Sequence, residues 1–195
     1  MRRQLVPALM MTIALTILTG LAYPLVLTGV AQGLFSARAN GSLVKVDGKV
    51  VGSSLLGQDF TATKYFHPRP SATAETPYNG LASGASNLGP SNPDLISTVK
   101  ARAIAYRKLN GLAANAQVPV DAVTASGSGL DPDISVANAR LQAPRVARVR
   151  DLSVATVLAA VGRHTENRAW GFLGEKVVNV LELDVDLDRL SVAAK

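Results

Sequence analysis

Two stretches of this chain set short hydroxyl, amide and charged side chains among glycines and prolines. One is Tyr65-Phe66-His67-Pro68-Arg69-Pro70-Ser71-Ala72, running on to Ser83-Gly84-Ala85-Ser86-Asn87-Leu88-Gly89-Pro90-Ser91-Asn92-Pro93. The other is Val123-Thr124-Ala125-Ser126-Gly127-Ser128-Gly129-Leu130-Asp131-Pro132. Such loops hold backbone N–H groups in fixed positions, which suits contact with an anion or a partner. The candidate contacts are Ser126, Gly127, Ser128, Gly129 and Asp131 in the second stretch, and His67, Arg69, Ser86 and Asn87 in the first. The same composition equally suits rigid connectors held by their own side-chain hydrogen bonds.

Motifs of enzymatic chemistry are scarce. A phosphate-binding P-loop needs Gly-Lys followed by Ser or Thr, but Gly48-Lys49 is followed by Val50. A nucleophile elbow needs glycine two residues before and after its serine. Ser126 is flanked at those positions by Thr124 and Ser128, and Ser128 by Ser126 and Leu130. A hydrolase using Ser126 or Ser128 would need a general base, for which His67 and His164 are the available histidines. Their separation, and the absence of cysteine, give no metal-ligand spacing. Asp131-Pro132-Asp133 reads as turn chemistry. The alternating acids Glu182, Asp184, Asp186 and Asp188 read as the solvated face of an edge strand.

These residues must be carried by a fold, and the first element that positions them is apolar. No charged side chain occurs between Leu5 and Leu34. At about 1.5 Å per residue this stretch makes roughly 45 Å of helix, more than the ~30 Å hydrocarbon core of a bilayer requires. A cleaved secretory signal is the alternative, with Arg2-Arg3 as its basic end and Ala37-Arg38-Ala39 as a cleavage site. The apolar run, however, is about twice the usual signal length. Pro24 falls well inside it and is expected to kink the helix. Residues 1–35 therefore read as a transmembrane anchor. Arg2, Arg3 and the terminal amine favour a cytoplasmic N-terminus, which places the rest outside.

Residues 36–195 read as one soluble mixed α/β domain, giving an α+β chain behind a single span. All 14 acidic residues lie after Asn40. Removing Arg2, Arg3 and Arg38 from the 20 bases leaves 17 − 14 = +3 for that part, with no basic cluster interleaved with aromatics. A nucleic-acid partner is excluded on that ground. Asp47-Gly48 between two β-rich runs predicts a hairpin. Ser91-Asn92-Pro93-Asp94 starts a helix that Asn110-Gly111 ends, with Leu95, Val99, Ala103 and Tyr106 on one stripe. Val118–Ala125 reads as a strand, and Ser135–Gln142 as a short helix stopped by Pro144. Ser153 caps a helix to about Val161, burying Val154, Val157, Leu158 and Val161. Lys176–Val185 reads as a final strand.

The chain also resembles the KdpC family, the C subunits of Kdp potassium-transporting ATPases. The resemblance is carried by Tyr23-Pro24 in the anchor, Asn40-Gly41-Ser42, Gly57-Gln58 before Phe60, Tyr65–Ala72 and Ser83–Pro93. It continues through Val118-Pro119, Val123–Pro132, Gln142 with Pro144-Arg145-Val146-Ala147, and Val178-Asn179-Val180-Leu181-Glu182-Leu183. Ala85 stands where a glycine is common, and Asp133 where many relatives have histidine or asparagine. The resemblance implies a bacterial inner-membrane complex that hydrolyses ATP to import K⁺, with an ATPase subunit and a channel-like subunit as partners. It implies a catalytic chaperone that raises the ATPase subunit's affinity for ATP, with Gln142 touching nucleotide and no firmly bound cofactor. A domain outside the membrane meets no ATP, so assembly and stabilisation of the complex is the favoured role, with ATP affinity affected only through indirect coupling.

Overall fold

The computed structural model describes residues 2–193. The chain divides into two compact units, Met1–Leu43 and Val44–Lys195. The first unit is helical: α1 (Arg2–Ile17), a π-helical turn (Leu18–Ala22), α2 (Tyr23–Leu34) and the short α3 (Ser36–Ala39). Together Arg3–Leu34 form a 32-residue apolar helix, none of whose apolar window is buried within the protein. Its length and composition suit a bilayer crossing. Two polar groups inside it are turned onto the backbone: Thr12 Oγ1 donates to the Ala8 carbonyl (2.9 Å) and Thr19 Oγ1 to Leu15 (2.7 Å). At Pro24 the helix widens. The Tyr23 N–H donates to the Leu18 carbonyl, five residues back, which relieves the clash a proline ring makes with the preceding turn.

The second unit is α+β. β1 (Leu43–Val46) and β2 (Lys49–Ser53) form the expected hairpin, with Asp47 (φ 49°) and Gly48 (φ 77°) both left-handed, as a type I′ turn requires. Residues 54–92 hold no strand or helix. They lead to α4 (Pro93–Asn110), a 3₁₀ turn (Val120–Ala122), β3 (Asp133–Ser135), α5 (Val136–Arg150), α6 (Val154–Arg163), β4 (Thr165–Glu166), β5 (Val177–Asn179) and α7 (Val180–Ala193). The sheet order is β3-β5-β4, all antiparallel, with Ile134 and Thr165 on either side of Val178.

Each of these four helices begins on a side-chain cap. Asn92 accepts from Asp94 N (2.8 Å), Ser135 from Asn138 N (3.1 Å), Ser153 from Thr156 N (3.0 Å) and Asn179 from Glu182 N (3.1 Å). Gly111 closes α4 in the left-handed conformation. The core joins α5, α6 and α7 to the sheet and to Phe66: Ala139, Ala143, Val146 and Ala147 meet Val157, Ala160, Val161, Leu183 and Leu187.

Four expectations are corrected. The acidic run lies on α7, not on a strand, because Val180, Leu183 and Leu187 recur at helical spacing and are buried. The alternation of the sequence hid that stripe. Asp184 consequently faces inward at 1% exposure. Pro144 does not stop α5. It sits on the helix's exposed side, so the carbonyl it leaves unpaired meets water. Val118–Ala125 turns instead of pairing, with Asp121 accepting from Ser135 N (2.8 Å), Ser135 Oγ (2.9 Å) and Asn138 Nδ2 (2.9 Å). Of the four residues expected to be buried on α6, Val157 and Val161 are; Val154 and Leu158 are 43% and 39% exposed.

Leu187→Ala removes a fully buried side chain from the seam of α7 and should lower unfolding free energy by about 2–5 kcal/mol. Leu158→Ala should lose under about 1 kcal/mol. Chemical denaturation followed by far-UV circular dichroism separates the two; equal losses would contradict this packing.

Candidate functional site

Helix α5 presents two inward stripes. One is apolar, and the other is polar: Asn138, Gln142 and Arg145, at the i, i+4 and i+7 positions, are 0%, 1% and 2% exposed. Gln142 is saturated. Its Oε1 accepts from His67 N (2.8 Å) and Arg145 Nη2 (2.7 Å), and its Nε2 donates to His67 O (2.9 Å) and Asn138 Oδ1 (2.9 Å). Arg145 Nε donates to Asn110 Oδ1 (2.9 Å), and Nη1 to the carbonyls of Tyr65 (2.9 Å) and Thr63. Tyr106 Oη donates to Asn138 Oδ1 (2.8 Å). Burial pulls the Arg145 guanidinium below its ordinary pKa, and Asp184 opposes the shift; an arginine nonetheless stays charged.

One turn further along, Phe66 N donates to Asp184 Oδ1 (2.9 Å). Arg150 donates to the Lys64 carbonyl (2.7 Å) and to Asp188 (2.8 Å). Burial pushes the Asp184 carboxyl well above the usual carboxylate range. Residues 63–67 are thus held by side chains from α5 and α7 although they form no regular element.

The glycine-rich loop is built the same way. Ser126 Oγ accepts from Gly129 N (2.9 Å), Ser128 Oγ from Leu130 N (3.1 Å), and Asp131 Oδ1 from Asp133 N (3.0 Å). Arg69 Nη1 meets Asp131 Oδ2 at 2.8 Å. Ser71 Oγ donates to Gly129 O (2.7 Å), and Ser83 Oγ (3.0 Å) and Gly84 N (2.8 Å) both donate to Ser128 O. Gly129 has φ 70°, and a Cβ there would lie 2.8 Å from the Gly84 carbonyl oxygen. No side chain fits that approach.

Ser126, Gly127, Ser128, Gly129, Asp131 and Arg69 are therefore brought together, and His67 is joined to Gln142. Ser86 and Asn87 lie on an exposed part of the long loop, with Asn87 at φ 53°. The polar partners Asn110, Asn138 and Arg145 were missed; the helical spacing of Asn138 and Arg145 with Gln142 behind Ser135 was a usable signal, whereas Asn110 comes from α4.

Two chemical expectations meet this geometry. Gln142 has no hydrogen-bonding position left for a nucleotide, and the Gly129 and Leu130 N–H groups that a phosphate would use already donate to serine hydroxyls. A serine hydrolase is not favoured: Ser126 is 5% exposed and caps its own turn. The His67 ring lies 3.2 Å from the Ala62 carbonyl, and the His164 ring 3.1 Å from Asp186. Among the described residues no group of three or more potential ligands could hold a metal ion.

Fold and site together define a class: an α+β domain behind one bilayer-length apolar helix, with its loop-borne polar groups bonded to the chain itself. Comparison with known proteins narrows this. The KdpC family profile, described as the K⁺-transporting ATPase c chain, matches residues 5–189. A potassium-transporting ATPase KdpC subunit of Mycobacterium tuberculosis is 56% identical over 190 residues, covering 97% of this chain and 100% of its own. That of Methylibium petroleiphilum is 55% identical (96% and 98% covered), and that of Sorangium cellulosum 58% (93% and 95%). The chain belongs to the KdpC family of K⁺-transporting ATPase subunits.

Gln142→Ala strips partners from His67, Asn138 and Arg145 at once. At about 1–3 kcal/mol per buried group left unpaired, unfolding free energy should fall by roughly 3–5 kcal/mol. A glutamine serving only as a ligand contact would leave denaturation midpoints unchanged.

Asp133 is pushed up to about 6, by burial first and by the neighbouring Asp131 second. Its folded value exceeds the ordinary 3.8, so the folded chain keeps a proton that the unfolded chain releases. That contribution is present at low pH and is lost as pH rises through about 6. Asp133→Asn should match wild type near pH 4 and be more stable at pH 8; identical midpoints at both pH values would refute the assignment.

Proposed function

We propose that this chain is a non-catalytic accessory subunit that assembles and stabilises an ATP-driven K⁺ import complex. One helix holds it in a bacterial inner membrane with the N-terminus cytoplasmic, in keeping with Arg2 and Arg3. Residues 36–195 work on the outer side, beside the ATPase subunit and the channel-like subunit.

The observation that carries this reading is the commitment of Gln142, Arg145, Ser126 and Asp131 to the chain's own loops. A scaffold of that kind presents preformed irregular surface, which lowers the ordering cost of association. The braced loops from His67 and Arg69 to Ser86 and Asn87 are the surface offered to partner subunits. Any change in ATP affinity of the ATPase subunit then passes through the membrane-spanning segments as a coupling between distant sites.

The chain contains no cysteine, so Ser128→Cys supplies a single reporter on an exposed turn. It should be labelled by an impermeant reagent in intact spheroplasts; protection until lysis would put the domain on the cytoplasmic side. Deleting the chain should abolish high-affinity K⁺ uptake, and Ser126→Ala and Ser128→Ala should each retain it. Uptake lost in both serine variants while the complex still assembles would reinstate a catalytic role.

A further inference from the structure

Helix α4 turns Tyr106 and Asn110 inward but leaves a long strip outward. Ile96 and Ile104 are 50% and 65% exposed, and Lys100 and Lys108 are exposed between and beyond them. The four recur at i, i+4, i+8 and i+12, so they line one face. Beside them runs a shallow groove of about 510 Å³ whose floor is Leu95, Val99 and Ala103 and whose rim carries Lys100 and Arg107. A smaller hollow at Ile104, Lys108 and Leu112 extends it. From Leu95 to Val120 the chain has four bases (Lys100, Arg102, Arg107 and Lys108) and no acid. Two of those bases turn partly to the chain, Arg102 donating to the Val123 carbonyl and Arg107 to that of Ala116. Lys100 and Lys108 are in no ion pair among the described residues.

We propose that this face of α4 rests on the headgroup region of an anionic bilayer, its isoleucines entering the interface and its lysines meeting lipid phosphates. The strip offers apolar area and positive donors but no acceptor side chain, so it selects negative charge without selecting shape. That is the chemistry of a basic amphipathic helix at a membrane surface. The occupant is a bilayer because the chain carries its own spanning helix, which keeps lipid at high effective concentration. A partner subunit would have to supply a matching acidic, apolar segment.

The proposal rests on the anchored reading, and the test separates the two. The full chain is reconstituted in nanodiscs of phosphatidylcholine alone or of phosphatidylcholine with phosphatidylglycerol, with an environment-sensitive dye on Ile104→Cys as the sole thiol. In anionic discs the dye should shift to the blue and be quenched by spin-labelled lipid; in neutral discs it should do neither. Lys100→Gln with Lys108→Gln, checked for unchanged circular dichroism, should return the anionic signal to the neutral level. A dye that stays water-exposed in anionic discs, or is equally buried in neutral ones, overturns the lipid contact. So does a dye shielded only in the assembled complex, which assigns the face to a subunit. Extraction of the chain from vesicles by alkaline carbonate would instead defeat the anchor itself.

Discussion

Arg145 is 2% exposed, and among the described residues no carboxylate is in direct hydrogen-bonding contact with its guanidinium. A charge taken out of water has to be solvated by something. Here the solvating groups are the carbonyls of Thr63 and Tyr65 and the amide oxygens of Asn110 and Gln142. Those acceptors come from three places in the chain, so satisfying one cation fixes α4, α5 and the irregular segment before Phe66 together. Gln142 then clamps both backbone groups of His67, and Asp184 holds the N–H of Phe66 while the Phe66 ring fills the core. The polar network replaces, for residues 63–67, the regular hydrogen bonding that a strand or helix would have given.

The parts of this fold that could be read from residues alone are those whose hydrogen bonds are local. Asn92, Ser135 and Ser153 cap helices within three residues of themselves, Gly111 ends one, and Asp47-Gly48 closes a hairpin; each is a short-range chemical fact. Misreadings arose where the deciding contact is distant. The residues after Asn179 alternate as a strand would, and only their packing against α5 and α6 selects the helical stripe. Pro144 looks like a stop until α5 is seen to turn it to water. The candidate loops stand out by composition, but the bonds their side chains make were not visible. Whether Ser126 attacks a substrate or caps its own turn depends on where Gly129 N points. Whether Gln142 is free depends on residue 67.

The glycines and small hydroxyls of the second unit serve its long loops. Loops of this length lose much conformational entropy when ordered. Side chains such as Ser71 and Ser83, each reaching a carbonyl of the 126–129 turn, hold two loops against one another without a strand between them. Gly129 allows the approach, and Asp131 and Arg69 close it. The surface is rigid because of its irregular bonding.

The widened turn at Leu18–Ala22 has a consequence for the apolar helix as a whole. One extra residue in a turn advances the azimuth by roughly 100° relative to an unbroken α-helix. A stripe of side chains running down α1 is therefore not continued by the stripe of the same spacing in α2. The two halves of the apolar helix therefore turn their stripes in different directions around its axis.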